Sequence, residues 1–117
     1  MTYRDLQVWQ KSMAVVTEIY NISKGFPKDE VYGLTSQIRR CAVSIPSNIA
    51  EGYGRSSTND YLHYLRIATG SLYELQTQLE IATNLNYLDR DRFDKLYESS
   101  REIERMLSSL IKKLSNK

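Results

Sequence analysis

The feature that most constrains this chain is a regular apolar stripe between residues 61 and 82. Its members alternate spacings of three and four residues, which places them on one face of an α-helix: Tyr61, Leu65, Ala68, Leu72, Leu75, Leu79 and Ala82. The preceding run Ser57–Asp60 offers several N-cap side chains. A helix of this length must bury its apolar face against other helices, so the stripe predicts a helical bundle.

The same pattern recurs toward the C-terminus. Apolar or small residues again alternate spacings of three and four: Phe93, Leu96, Ser100, Ile103, Leu107, Leu110 and Leu114. The turn between the two helices is assigned to residues 84–88. Because such a connection is short, the two helices are expected to be antiparallel neighbours.

A helix is also predicted from about Asp5 to Ser23, before the stop signal in residues 24–27, which contain Gly25 and Pro27. Its bundle-facing stripe is expected to be Leu6, Trp9, Met13, Val16 and Tyr20. A second apolar stripe lies beside it, formed by Val8, Val15, Ile19 and Ile22. Together the two stripes are wider than one bundle core requires, which indicates association with further chains.

The remaining helix is predicted from about Asp29 to Tyr53. Its core seam is expected to be Leu34, Ile38, Cys41 and Ile45, widened by Val31, Ala42 and Ile49. Pro46 has no N–H to donate to the Ala42 carbonyl, so a kink is expected nearby. The alternative is two shorter helices that meet at Pro46.

No strand-like alternation, internal repeat or long linker interrupts the 117 residues. The sequence therefore predicts one all-α domain over residues 1–117, an antiparallel up-down-up-down four-helix bundle with its second helix kinked near Pro46.

Composition narrows the possible location of the chain. The only cysteine, Cys41, cannot form an intramolecular disulfide and lies in an apolar run, so it is expected to be a small core residue in a reducing compartment. The N-terminus lacks the apolar stretch of a signal peptide, and no segment is long and apolar enough to span a bilayer. A cytoplasmic protein without a membrane partner is expected.

Residues that could carry chemistry are few. His63, the only histidine, lies three residues after Asp60, whereas di-metal bundles take a Glu-x-x-His pair from each of two helices. No nucleophile elbow, phosphate-binding loop or zinc motif is present in the sequence. We therefore expect no metal, no cofactor and no catalytic residues, and a protein that works by binding.

Two sets of residues are candidates for that binding. The net charge is only +2, but a basic surface around the second helix could bind phosphates of structured RNA or DNA: Lys24, Lys28, Arg39, Arg40 and Arg55. A polar line follows one face of the same helix: Gln37, Arg40, Ser44, Asn48 and Glu51. This line could be a solvated or intramolecular surface, a seam between subunits, or a ligand-facing groove.

A different class of function remains open from the residues alone. The chain could be a structural or adaptor protein whose partner is another protein. Tyr53, Tyr64 and the polar line would then be its contact surface.

Four segments closely resemble a known bacterial family: YGLTSQIRRCAVSIPSNIAEG at residues 32–52, DLQVW at 5–9, FP at 26–27 and GSLYEL at 70–75. The first members of this four-helix-bundle family, often labelled ribosomal protein, are encoded in intervening sequences of 23S ribosomal RNA genes. The resemblance implies a protomer that assembles as a homopentamer. A relative of the family, the accessory protein of diversity-generating retroelements, is likewise pentameric and associates with nucleic acid. The family supplies no catalytic residues.

Overall fold

Capping hydrogen bonds mark where the two longest helices begin. Ser57 Oγ accepts a hydrogen bond from the Asp60 N–H at 3.3 Å, and Asp89 Oδ1 accepts one from the Arg92 N–H at 2.8 Å. Each bond satisfies a backbone N–H that has no partner within the helix. The N-cap predicted within residues 57–60 is therefore confirmed as Ser57.

The computed structural model describes residues 1–116. Its helices are α1 (Gln7–Ser23), α2 (Leu34–Tyr53), α3 (Thr58–Asn84) and α4 (Arg90–Ser115). Short 3-10 helices at Tyr3–Asp5 and Lys28–Glu30 precede α1 and α2. No strand occurs within these 116 residues, so the predicted all-α, four-helix class is confirmed.

The four helices surround one apolar core. α2 packs against α1 and α3, and α4 packs against α3 and α1. Cys41 on α2 contacts Gln78 on α3, whereas Ser44, one turn later on α2, contacts Ser71, which lies earlier on α3. α2 and α3 are therefore antiparallel. The up-down-up-down direction of all four helices and the kink near Pro46 stay predictions.

The stripes predicted for α3 and α4 form much of this core. From Leu65 to Ala82 every predicted α3 position is buried, and so is every predicted α4 position from Phe93 to Leu107. Tyr61, Leu110 and Leu114 pack against the core while remaining partly exposed. The spacing of apolar residues thus predicted the buried face of both helices.

For α1 the predicted core stripe is wrong in part, because Leu6, Trp9 and Val16 pack against the core while partly exposed but do not form the buried stripe. The structure buries the second stripe, with Ser12 between its members: Val8, Ser12, Val15, Ile19 and Ile22. Met13 and Tyr20 of the predicted stripe keep 41% and 40% of their surface exposed. The physical reason is that Ser12 Oγ donates to the Val8 carbonyl at 2.7 Å, so a serine can occupy a core position without an unpaired hydroxyl.

The predicted start of α2 at Asp29 is also wrong. The helix begins at Leu34, because Lys28–Glu30 forms a 3-10 turn and Gly33 has a non-helical backbone at φ −112° and ψ −116°. Val31 consequently lies before the helix and is 52% exposed instead of widening the core seam. Downstream, α2 continues through Pro46 as a single helix rather than as two.

No helix within residues 1–116 combines the length and the apolar character that crossing a membrane requires.

Candidate functional site

Arg39 is held against the last turn of α1. Its Nε donates to Ser23 Oγ at 2.7 Å, and its Nη2 donates to the Tyr20 carbonyl at 3.4 Å. The guanidinium carbon also lies 4.7 Å from the centre of the Tyr20 ring, a cation–π distance. Arg39 therefore ties α2 to α1 and lies beside the point where the chain continues into Lys24.

Three more cations occur at the end of the bundle where α1 ends and α2 begins. Lys24, Lys28 and Arg40 are exposed, and within residues 1–116 none has a carboxylate oxygen within 4.0 Å. We call Lys24, Lys28, Arg39 and Arg40 the basic end. Arg40 borders two surface grooves of about 450 and 440 Å³, one beside α1 and one beside α3.

Glu30 is the nearby acid whose carboxylate is already occupied. Its Oε1 accepts the Leu34 N–H at 3.1 Å, and its Oε2 accepts the Tyr87 hydroxyl at 2.9 Å. The bond to Glu30 raises the pKa of Tyr87, because ionising the phenol would place two negative charges together. Glu30 thus caps α2 and anchors the α3–α4 turn rather than pairing with a cation of the basic end.

Arg55 lies apart from the other four predicted cations. Fifteen residues separate it from Arg40, which corresponds to roughly 20 Å along a helix. Its Nη2 donates to Glu51 Oε1 at 3.1 Å and to the Tyr64 hydroxyl at 2.8 Å. The structure therefore brings four of the five predicted cations to one end, and pairs the fifth with a carboxylate at the other.

The polar line of α2 divides into three parts. Asn48 Nδ2 donates to the Ser44 carbonyl at 2.7 Å and to Ser44 Oγ at 2.9 Å, while Ser44 Oγ also shares a hydrogen bond of 2.9 Å with Ser71 on α3. This part is an intramolecular seam. Gln37 and Arg40 line the groove beside α3, which Ser44 also borders. Glu51 accepts the hydrogen bond from Arg55.

Cys41 lies at the floor of the same groove and is only 4% exposed. Its thiol contacts the Ile38 carbonyl and Gln78 Oε1, each at 3.3 Å. Burial, followed by the negative charge of Glu74, raises the pKa of Cys41 to about 12. At neutral pH the group is therefore a protonated thiol, which is a poor nucleophile and a poor metal ligand.

His63 is exposed on α3, and its ring meets the ring of Tyr64 edge-on at 5.6 Å. Within the part of the chain that the structure describes, no three His, Cys, Asp or Glu side chains come close enough together to hold a metal ion.

A third surface was not predicted as a site. Between α1 and α2 lies an apolar groove of about 360 Å³, lined by Tyr3, Trp9, Met13, Val16, Val43, Pro46, Ser47 and Ala50. We call it the α1/α2 groove. The signal in the sequence was the combined width of the two apolar stripes of α1, which indicated apolar surface beyond the core but not which stripe would supply it.

Comparison with known proteins places these features in a family. The sequence model described as 23S rRNA-intervening sequence protein matches residues 4–109. A solved structure from Bacteroides thetaiotaomicron, a protein with unknown function from the S23 ribosomal protein family, is 29% identical and has a TM-score of 0.84. That match covers 90% of this chain and 98% of the other. No curated protein matches the sequence.

The family match spans most of the chain and includes α1, α2, α3 and most of α4. It also includes every residue of the basic end and of the α1/α2 groove apart from Tyr3. The predicted family is confirmed by this match together with the similar solved structure. The chain belongs to the 23S rRNA-intervening sequence protein family.

Proposed function

We propose that this protein is a non-enzymatic, homo-oligomeric binding protein of the cytoplasm, pentameric in its assembled form, that associates with structured RNA or DNA through the basic end. The observation that carries the proposal is the contrast in how cations are paired. Lys24, Lys28 and Arg40 lie at one end of the bundle and have no carboxylate partner within residues 1–116, whereas three of the seven cations spread along α4 do: Arg92, Arg101 and Arg105.

An unpaired, exposed cation is suited to binding phosphate. It loses no ion pair when it approaches the backbone of a nucleic acid, and it releases a condensed counterion when it binds. Arg39 contributes differently, because its hydrogen bonds to Ser23 and Tyr20 already fix its guanidinium beside these cations. Few cations per chain suffice if several chains present them together, since a multivalent assembly gains avidity by repetition.

Self-association is supported by the apolar surface that the fold leaves outside its core. The α1/α2 groove exposes parts of Met13 and Val43, and Trp9 is only partly buried. Exposed apolar surface of this kind is typical of protein contact sites. The pentameric count comes from the family resemblance. A binding rather than catalytic role is supported by the protonated, buried thiol of Cys41.

The test is a salt titration of binding to structured RNA and duplex DNA, followed by fluorescence anisotropy. The test variant neutralises three cations of the basic end but leaves the structural Arg39 intact: Lys24→Gln, Lys28→Gln and Arg40→Gln. A matched control removes the same charge from the three paired arginines of α4: Arg92→Gln, Arg101→Gln and Arg105→Gln. Both variants are checked by circular dichroism and solution mass.

We expect wild-type binding to weaken steeply as salt rises. If each of the three cations contacts one phosphate of duplex DNA, the logarithmic salt slope of the test variant becomes shallower by about 2.7 per bound chain. The control should keep the wild-type slope. Equal slopes in the test variant and the wild type would contradict the assignment, and absent binding by a stable oligomer would favour the adaptor hypothesis.

A further inference from the structure

The groove beside α3 contains a cation and a carboxylate that do not pair with each other. Arg40 lies on its α2 wall and Glu74 on its α3 wall, and these two are the charged side chains that line it. Both are exposed, and their guanidinium nitrogens and carboxylate oxygens are more than 4.0 Å apart. A ligand between the two walls can therefore offer an anion to Arg40 and hydrogen-bond donors to Glu74.

Glu74 can accept more hydrogen bonds than its own chain supplies. Its Oε2 accepts one from Gln78 Nε2 at 3.1 Å, which is the one hydrogen bond that residues 1–116 donate to this carboxylate. An ionised carboxylate accepts on both of its oxygens. Oε1 is therefore available to a donor that enters the groove.

An aromatic ring at the same groove makes almost no contact with the fold. Tyr32 lines the groove and is 96% exposed. It lies just before α2 begins, and among the described residues it packs against no other aromatic ring. Both faces of its phenol ring are consequently open, so a planar ligand can stack on it.

Neutral polar groups complete the lining of the groove. Ser36 and Gln37 line its α2 side, and within residues 1–116 no hydrogen bond occupies either side chain. Ser44 and Ser71 are hydrogen-bonded to each other at 2.9 Å. The groove measures about 440 Å³, and small-molecule sites typically measure about 300–1,000 Å³. Its size and its chemistry therefore suit a polar, planar ligand of modest size.

A guanine nucleotide has the groups that this lining would bind. The Watson–Crick edge of guanine places two donors side by side, the ring N–H and the amino group, so one carboxylate can accept from both. Uracil is a poor match, because its ring N–H lies between two carbonyl oxygens that a carboxylate repels. A phosphate can pair with Arg40 while the base stacks on Tyr32.

We infer that the groove beside α3 binds an unpaired guanine nucleotide, with its base on Tyr32, its Watson–Crick edge on Glu74 and a phosphate on Arg40. This inference rests on the proposed function for the phosphate contact and adds the class of nucleotide that the same site recognises. Base pairing hides the Watson–Crick edge, so a bulged guanosine in structured RNA is favoured over duplex DNA. A free guanine nucleotide carries the same groups, and both sources are tested.

Two RNA hairpins that differ only in one bulged nucleotide, guanosine or uridine, test the base contact by fluorescence anisotropy. Because they carry the same number of phosphates, the ratio of their dissociation constants does not depend on the charge contribution. We expect wild-type protein to bind the guanosine hairpin about tenfold more tightly. Equal affinities together with a steep salt dependence would overturn this inference and leave the proposed function intact.

Glu74→Gln tests the group that reads the base. An amide offers one acceptor oxygen and one donor group to the two donors of guanine, so the preference for the guanosine hairpin should disappear. The substituted amide oxygen can still accept the hydrogen bond from Gln78, which preserves the fold. Glu80→Gln removes another exposed acid of α3 that does not line the groove, and it should keep the preference. A preference that survives Glu74→Gln would overturn the inference.

Tyr32→Leu tests the stacking contact. Stacking depends little on base type, so this variant should bind both hairpins roughly tenfold more weakly, whereas Tyr32→Phe should bind as the wild type does. Tyr73→Leu is the matched control, because Tyr73 is an exposed tyrosine of α3 that does not line the groove. Wild-type affinity in Tyr32→Leu would overturn the placement of the base.

Guanosine and uridine monophosphates, followed by saturation-transfer NMR, separate the two sources of the nucleotide. A guanosine preference in the hairpins without binding of either free nucleotide assigns the groove to RNA. If no hairpin binds but guanosine monophosphate does, the proposed nucleic-acid function fails and the groove is a site for the free nucleotide. If neither the hairpins nor guanosine monophosphate bind, both proposals fail.

Discussion

Two adjacent arginines of α2 have different roles because one helical step turns a side chain by about 100°. Arg39 points toward α1 and is held by Ser23 and by the Tyr20 carbonyl. Arg40 is exposed between two grooves and has no carboxylate partner within residues 1–116. Neutralising Arg39 would therefore perturb the fold as well as the charge, whereas Arg40 reports on charge alone.

Cys41 provides a prediction about stability at high pH. Its pKa rises from 9.0 to about 12 in the folded chain, so between these values an unfolded chain loses the thiol proton while a folded chain keeps it. The stability that Cys41 contributes is therefore complete below about pH 9 and is lost as pH rises toward 12. We expect the urea midpoint of the wild type to fall more steeply from pH 8.5 to 10.5 than that of Cys41→Ala.

Cys41→Ala is the appropriate reference because the tyrosines of both proteins titrate over the same range. Tyr87 and Tyr61, whose pKa values are also raised, contribute equally to the two curves. Only the difference between the slopes reports on Cys41. Parallel curves would mean that the thiol loses its proton as easily in the folded chain as in the unfolded one.

At the scale of elements, the start of α2 depends on one carboxylate. Glu30 accepts hydrogen bonds from the Leu34 N–H and from the Tyr87 hydroxyl, so it joins the first turn of α2 to the α3–α4 connection. We expect Glu30→Ala to lower the free energy of unfolding by about 1–2 kcal/mol, because both bonds are lost. Urea denaturation at fixed protein concentration measures the change.

A double-mutant cycle measures how much of this loss comes from the hydrogen bond between Tyr87 and Glu30. Tyr87→Phe alone should cost about 1 kcal/mol, and it should cost much less in the Glu30→Ala background, where its partner is already absent. Asp29→Ala, an exposed acid next to Glu30, is the control and should change little. Additive effects of the two substitutions would show that the hydroxyl and the carboxylate do not stabilise each other.

Which elements the sequence could predict depends on how their core positions are filled. α3 and most of α4 fill theirs with apolar residues, so spacing alone identified the buried face. α1 places Ser12 in its buried stripe, and a count of apolar residues therefore favoured the stripe of Trp9 and Met13. The start of α2 depends on the contact between Glu30 and Tyr87, 57 residues apart, which no local pattern reveals.

The candidate sites were predictable to a similar extent. Residue type identified the cations of the basic end, and their position near the first turn followed from the order of the helices. The pairing of Arg55 with Glu51 and Tyr64 was not foreseen, because an i,i+4 ion pair competes with exposure to solvent and spacing alone does not decide between them. The α1/α2 groove required knowledge of which α1 stripe is buried.

At the scale of the whole molecule, the fold separates its surfaces. The basic end lies where α1 leads into α2, whereas the α1/α2 groove lies nearer the start of α1 and the end of α2. The proposed self-association through the α1/α2 groove would therefore leave Lys24 and Lys28 available to a nucleic acid. We expect that substitutions in the groove and substitutions at the basic end can disrupt assembly and nucleic-acid binding independently.

The proposed assembly predicts a concentration dependence of thermal stability that can be measured without a ligand. Folded chains are stabilised by association and unfolded chains are not, so the melting temperature of an oligomer rises with protein concentration. For a pentamer, a tenfold increase in concentration stabilises each chain by about 1.1 kcal/mol, which corresponds to roughly 4 °C for a domain of this size.

Calorimetry at three protein concentrations that span two decades measures this dependence. Met13→Glu, which places a charge in the α1/α2 groove, should melt at one temperature throughout. Ala14→Glu, at an exposed position of α1 that does not line the groove, should follow the wild type. A wild-type melting temperature that does not change with concentration would contradict assembly of the folded chain, whatever its affinity for nucleic acid.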